Sequence, residues 1–153
     1  MKISFFIPNL HPGGAENVLI EVINKLVDKH PGCQFHLCVC DKDGVRLDKL
    51  NSRIKIINFS KSRLAYSFLD IIIYLKNELP QYFISSLDYA NLLASLAHQI
   101  SFISTKLILW EHSITSKHAI STISKFNLIR YILINYFYKR ATSIIFVLKG
   151  VSN

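Results

Sequence analysis

Short apolar runs rich in β-formers alternate with longer segments of helical periodicity along the whole chain, and few folds accommodate that alternation. Residues 2–7 read as a buried strand that stops at Pro8, and His11-Pro12-Gly13-Gly14 reads as a loop. From Ala15 the period changes. Val18, Leu19, Val22, Ile23, Leu26 and Val27 recur at helical spacing, and His30-Pro31-Gly32 ends the helix near Asp28. Residues 34–40 form a second predicted strand, 45–51 a short helix after the Asp43-Gly44 turn, and 54–58 a third strand. Residues 66–78 read as a helix stopped by Pro80, and 82–86 as a fourth strand. A helix over 89–101 carries Tyr89, Leu92, Leu93, Leu96, Ala97 and Ile100 on one stripe, with Asp88 as its cap. Residues 106–110 are a fifth strand, 112–124 a Ser/Thr-rich loop, 126–140 a long apolar helix and 143–148 a sixth strand.

Strands separated by helices predict a Rossmann-like α/β fold: one domain over 1–153 with a doubly wound parallel sheet of about six strands. Right-handed crossovers give the strand order 3-2-1-4-5-6. The chain has 153 residues, 50% of them hydrophobic and 18% charged, enough to bury one core and too apolar for a disordered chain.

The net charge is +8, and Glu111 is the last acidic residue. Lys117, Lys125, Arg130, Lys139, Arg140 and Lys149 follow without a carboxylate among them, which favours an anionic partner. No nucleic-acid-reading motif accompanies that charge. Tyr131, Tyr136, Phe137 and Tyr138 beside Arg130, Lys139 and Arg140 fit either an interfacial membrane element within 117–140 or a domain-packing helix. Cys33, Cys38 and Cys40 have no zinc spacing and read as small buried side chains in a reducing compartment, Cys38 and Cys40 on one face of a strand. No secretory signal is recognised, and Asp70 and Arg130 interrupt the longest apolar runs. The expected location is the cytoplasm, with peripheral attachment to its membrane face.

In doubly wound sheets ligands bind beyond the carboxyl ends of the strands, at the switch point beside strand 1. That rule selects residues 8–15, 85–89, 111–124 and 148–153. The first loop, Asn9-Leu10-His11-Pro12-Gly13-Gly14-Ala15-Glu16, brings two glycines to a strand-to-helix turn. There a backbone without Cβ approaches a ligand, and a helix amino terminus offers free amides to a phosphate. The glycines are adjacent with no third at dinucleotide spacing, which argues against a nicotinamide-dependent oxidoreductase. At the end of strand 5, Trp110-Glu111-His112-Ser113 presents hydrogen-bonding groups and a titratable histidine to the same rim. Glu111 as a local cap and His112 as an ordinary loop histidine is the competing reading. His11 lies in the first loop, while His30, His36, His98 and His118 read as structural or surface residues.

Ile3-Ser4-Phe5-Phe6-Ile7-Pro8-Asn9-Leu10 followed by Pro12-Gly13-Gly14-Ala15-Glu16 resembles the amino-terminal signature of family 4 glycosyltransferases, which share the GT-B architecture. Residues 144–152 resemble that family's strand before the interdomain hinge, and Trp110-Glu111-His112 resembles the loop where many members place a histidine near the sugar. Asn17 departs from the arginine common there, and Leu148 from the serine before Lys149-Gly150. The resemblance implies the acceptor-side half of a retaining, nucleotide-sugar-dependent hexosyltransferase, acting in cell-surface polysaccharide or glycoconjugate synthesis on a glycan or lipid-linked acceptor. It implies that Gly13 and Gly14 approach the donor phosphates and that His112 is the catalytic residue near the sugar. Glu16, Glu111 and Ser113 are then substrate-binding neighbours, and no metal or cofactor is expected. The donor-binding carboxyl-terminal domain of that architecture is expected to be absent here and the chain inactive alone. A non-catalytic phosphate- or nucleotide-binding module, or an inactive truncation, is the alternative.

Overall fold

The structure is a computed structural model, and it describes residues 1–41, 47–112, 136 and 138–146. Six strands form one sheet: β1 (Lys2–Ile7), β2 (Gln34–Val39), β3 (Ile54–Asn58), β4 (Tyr82–Ser86), β5 (Lys106–Glu111) and β6 (Ser143–Phe146). Their order is β3-β2-β1-β4-β5-β6, and every neighbouring pair is parallel. This is the expected doubly wound sheet, with its switch point between β1 and β4.

Parity along β1 shows how the sheet is covered. Ile3, Phe5 and Ile7 point to the face packed by α1 (Gly14–Lys29), against Leu19, Ile20, Ile23 and Val27. Ser4 and Phe6 point the other way, where Phe6 joins Cys38, Cys40, Phe83, Leu107 and Leu109. Helices α2 (Phe68–Glu78) and α3 (Asp88–Ser101) cover that second face. Near-continuous apolar strands are what a sheet buried on both sides requires. Cys38 and Cys40 share the second face and are buried, as their spacing predicts.

Several elements differ from expectation. Residues 64–67 form a 3-10 turn leading into α2, and within the predicted 45–51 helix the described residues 47–51 form a 3-10 turn at Leu47–Lys49. In α1, Val18 turns outward at 40% exposure, so the apolar stripe is narrower than the sequence suggests. The larger correction is to α3. Its buried face is Ala90, Asn91, Ala94, Ser95, Ala97 and Ser101, while Tyr89 and Ile100 are exposed. Small residues bring this helix close to the sheet, and the larger side chains flank the contact. The serine hydroxyls are satisfied by its own carbonyls, Ser95 Oγ donating to Asn91 O (2.7 Å) and Ser101 Oγ to Ala97 O (2.6 Å). Asp88 is the first helical residue and not the cap, a position held by Leu87 with φ 82°.

Candidate functional site at the carboxyl ends of the strands

The turn after β1 is fixed by its own backbone. Pro8 O accepts the amides of Cys40 (2.9 Å) and Asp41 (3.4 Å), tying the ends of β1 and β2 together. Gly13 then caps α1 with φ −154° and ψ 166°, extended backbone that any residue adopts. Glycine leaves room here for a side chain: a Cβ on Gly13 would sit 2.0 Å from Glu16 Oε2 and would make that flexible carboxylate move aside. Glu16, in the first turn, folds its carboxylate back over the amino terminus of α1, where the helix dipole favours negative charge. Nothing lies within 4 Å of a Cβ built on Gly14. A phosphate seated at Gly13 would therefore have to displace the Glu16 carboxylate, because two anions cannot share that space.

The end of β5 divides its side chains between the two faces. Trp110 packs into the α1 core and stacks on the His112 ring, with centroids 5.3 Å apart and planes 21° from parallel. Glu111 points to the α3 face and is buried; its Oε2 accepts Tyr138 Oη at 2.9 Å and lies 3.4 Å from Asn91 Nδ2. Asn91 Nδ2 also donates to Trp110 O (3.1 Å), so one amide on α3 holds the strand end in place. Asn91 Oδ1 and Trp110 Nε1 are buried without hydrogen-bond partners among the described residues.

His112 is half-buried. Its Nε2 lies 2.9 Å from Ser86 Oγ at the end of β4. Burial pulls its pKa below 6.5, opposed more weakly by the negative charges of Glu111 and Glu16. The imidazole is therefore neutral near pH 7. The glycine turn follows β1 and His112 follows β5, so both lie at the carboxyl rim of the sheet, on either side of β4.

Beside His112 a cavity of ≈ 380 Å³ opens between Pro8, Leu64, Leu87, Asp88, Tyr89 and Glu111. Its lining takes in Glu111 and His112 but not Gly13, Gly14 or Glu16. Leu87, in the cavity wall, holds a positive φ that costs a side-chain-bearing residue about 1–3 kcal/mol and is concentrated at functional sites. A cavity of equal volume at the opposite rim, around Pro80 and Lys106, lies at the amino ends of the strands, away from this convergence.

Ser86, Leu87 and Asn91 are site residues that the sequence did not single out, although the strand-end rule selected the loop holding the first two. Ser113 lies outside the described residues, as do 114–124 and 147–153. Of the basic segment 117–140, Tyr136, Lys139 and Arg140 are exposed; Arg140 lies over the Tyr136 ring (4.4 Å) and donates to Gln99 Oε1 (2.8 Å), while Tyr138 reaches Glu111. Among the described residues no group of three or more His, Cys, Asp or Glu is placed to hold a metal ion, and no helix is long and apolar enough to cross a membrane. His36 and His98 have structural roles, bonding to Tyr74 Oη (2.8 Å) and Thr105 O (2.7 Å).

Comparison by sequence finds no matching family model and no matching curated protein. Among solved structures the chain is similar to the apo form of the lipopolysaccharide outer core galactosyltransferase WaaB, at 25% identity and a TM-score of 0.55, over 72% of this chain and 33% of that one. It is also similar to Anabaena HepE in complex with UDP and glucose, at 18% identity and a TM-score of 0.62, over 94% of this chain and 37% of that one. The chain thus spans about a third of the length of the structures it matches. Its fold is that of the amino-terminal, Rossmann-like half of a GT-B glycosyltransferase.

Proposed function

We propose that this chain forms the acceptor-side wall of a retaining glycosyltransferase of the family 4 kind, working from a nucleotide-sugar donor. The observation that carries the reading is that the Gly13–Glu16 turn after β1 and the Trp110–His112 end of β5 both lie at the carboxyl rim of the sheet beside its switch point, in a fold shared with a galactosyltransferase and with a protein solved with UDP and glucose. In such a transfer the bond between the anomeric carbon and the nucleotide's phosphate oxygen breaks. A bond to an acceptor hydroxyl forms on the same face, and the hydroxyl proton leaves with the phosphate oxygen. The amino terminus of α1 is suited to stabilise that phosphate once Glu16 swings away, without a metal ion. His112, neutral and braced by Trp110 and Ser86, is suited to hold a sugar oxygen, and Glu111 keeps the strand end in register from the other face.

The acceptor in this reading is a glycan or a lipid-linked sugar, and the place of work is the cytoplasmic face of a membrane. Flotation with anionic liposomes tests the second part, and loss of binding in neutral liposomes is the expected signature. Because both walls of a cleft are needed to align donor and acceptor, the chain alone is expected to bind without turning over.

The test is a mass-spectrometric screen of nucleotide sugars against simple and lipid-linked acceptors, with the chain alone and with protein that also carries a donor-binding domain. Turnover is expected only in the second case, and His112→Ala should lower it by roughly 10²-fold or more. Turnover by the 153 residues alone would overturn the one-wall reading. Silence from both, with UDP still bound by calorimetry, would leave a phosphate-binding module instead.

A further inference from the structure

The His112 ring is held on two sides. Trp110 covers one face, and Ser86 Oγ meets Nε2 at 2.9 Å. The ring also lines the cavity beside Leu87 and Glu111, and its Nδ1 has no hydrogen-bond partner among the described residues. Ser86 is wholly buried, and its hydroxyl bonds to no other described atom. Distance alone permits two arrangements. If Nε2 carries the ring proton and donates to Ser86, the hydroxyl's own hydrogen points into buried protein with no acceptor among the described residues. If the hydroxyl donates to a bare Nε2, the ring proton sits on Nδ1, and the donor without a described partner then belongs to a half-buried ring that lines a cavity and not to a wholly buried hydroxyl. Buried donors without partners are strongly disfavoured, so the second arrangement wins.

We propose that Ser86 is a positioning residue that fixes His112 as its Nδ1–H tautomer, so that the ring meets substrate as a neutral hydrogen-bond donor and not as a base. The group it meets is an oxygen with a free lone pair, such as a sugar hydroxyl or ring oxygen. Only the identity of that group rests on the glycosyltransferase reading; the tautomer is a property of the chain itself. The placement depends on strand register. Ser86 pairs with Trp110 in the parallel β4–β5 ladder, which puts Trp110, His112 and Ser86 on one face. A shift of one residue would turn the Ser86 hydroxyl to the other side of the sheet.

The experiment is two-bond 1H–15N correlation of the imidazoles in 15N-labelled chain, at a pH where His112 is neutral. Its signals are identified by their loss in His112→Ala. The expected pattern has a pyrrole-like, protonated Nδ1 and a pyridine-like Nε2. In Ser86→Ala the population should move toward Nε2–H, the form free histidine prefers, by a factor on the order of ten. Ser86→Thr, which keeps the hydroxyl, should restore the wild-type pattern. An Nε2–H tautomer in the wild-type chain would overturn the proposal. So would an unchanged tautomer ratio in a Ser86→Ala chain whose amide spectrum is folded. Should Ser86→Ala fail to fold, the wild-type pattern and the Ser86→Thr variant decide the question. No sugar enters this measurement, so its outcome is separate from that of the turnover screen.

Discussion

The two faces of the sheet are packed by different chemistry. Under α1 lie large apolar side chains, with Leu19, Ile20, Ile23 and Val27 set against Ile3, Phe5, Ile7, Leu37 and Val39. Under α2 and α3 lie alanines, serines, an asparagine and a polar chain in which Tyr74 Oη joins Ser4 Oγ (2.6 Å) to His36 Nδ1 (2.8 Å). Both faces bury large apolar side chains, Phe6, Ile71, Leu75, Phe83, Leu107 and Leu109 on the second, and the second differs in adding the small-residue contact of α3 and this polar chain. The second also carries Asn91 and Glu111, which brace the end of β5, so the polar packing is continuous with the candidate site.

The contrast predicts opposite responses to changes in bulk. Ile23→Ala removes a fully buried side chain from the α1 face and should cost about 2–5 kcal/mol, read from urea unfolding. On the other face, Ala94→Leu adds apolar bulk where α3 lies closest to the sheet. It should cost about 1–3 kcal/mol through overpacking, although the substituted residue is more hydrophobic. A neutral or stabilising Ala94→Leu would erase the distinction between the faces.

Polar satisfaction gives the next largest effect. Tyr74→Phe leaves Ser4 Oγ and His36 Nδ1 without their shared partner, at a cost of about 1–3 kcal/mol. The same face sets a pH dependence. Burial pulls the His36 pKa below its ordinary 6.5, so the folded state binds a proton less readily than the unfolded one. His36 therefore contributes stability that is fully present above about pH 6.5 and is lost as pH falls from there toward the lower folded-state value. The slope in that window is at most about 1.4 kcal/mol per pH unit for one histidine. His112 acts in the same direction. Unfolding curves against pH should flatten in His36→Gln and flatten further when His112→Ala is added; a slope unchanged by both would remove the histidines as its source.

These differences also explain what could be read from the sequence. The strands, α1 and the sheet order were legible because apolar runs and large side chains at helical spacing carry a strong periodic signal, and a doubly wound sheet with right-handed crossovers takes this order in one of its commonest forms. The inner face of α3 was not legible, because periodicity counts large apolar residues and this helix buries its small ones. Tyr89 and Ile100 gave a plausible stripe that the structure turns to solvent. The site shows the same division. The loops at Gly13 and His112 follow from topology alone, whereas the Ser86–His112 contact depends on the register between β4 and β5, which no local pattern encodes. At Gly13 the sequence offers only a backbone open to a ligand, and the structure adds a neighbour that no spacing rule names. The Gly13 backbone is extended, and the crowding comes from Glu16, three residues on.

That last point yields the smallest effect and a clean comparison of two adjacent glycines. Gly14→Ala meets nothing within 4 Å at the first position of α1 and should be neutral or stabilise by up to about 1 kcal/mol, since alanine restricts the unfolded chain. Gly13→Ala has an allowed backbone but must drive the Glu16 carboxylate off the helix terminus. It should lose about 0.3–1 kcal/mol of charge–dipole stabilisation together with the modest preference for glycine over alanine at a cap. A double-mutant cycle separates the two contributions. In a Glu16→Ala background only the capping preference remains, so the cost of Gly13→Ala should shrink by the Glu16 share. If the cost is the same in both backgrounds, the carboxylate is not what reserves this position for glycine. If it shrinks, Glu16 holds the ground that a donor phosphate would have to take, and Glu16→Ala should bind pyrophosphate more tightly than the wild-type chain.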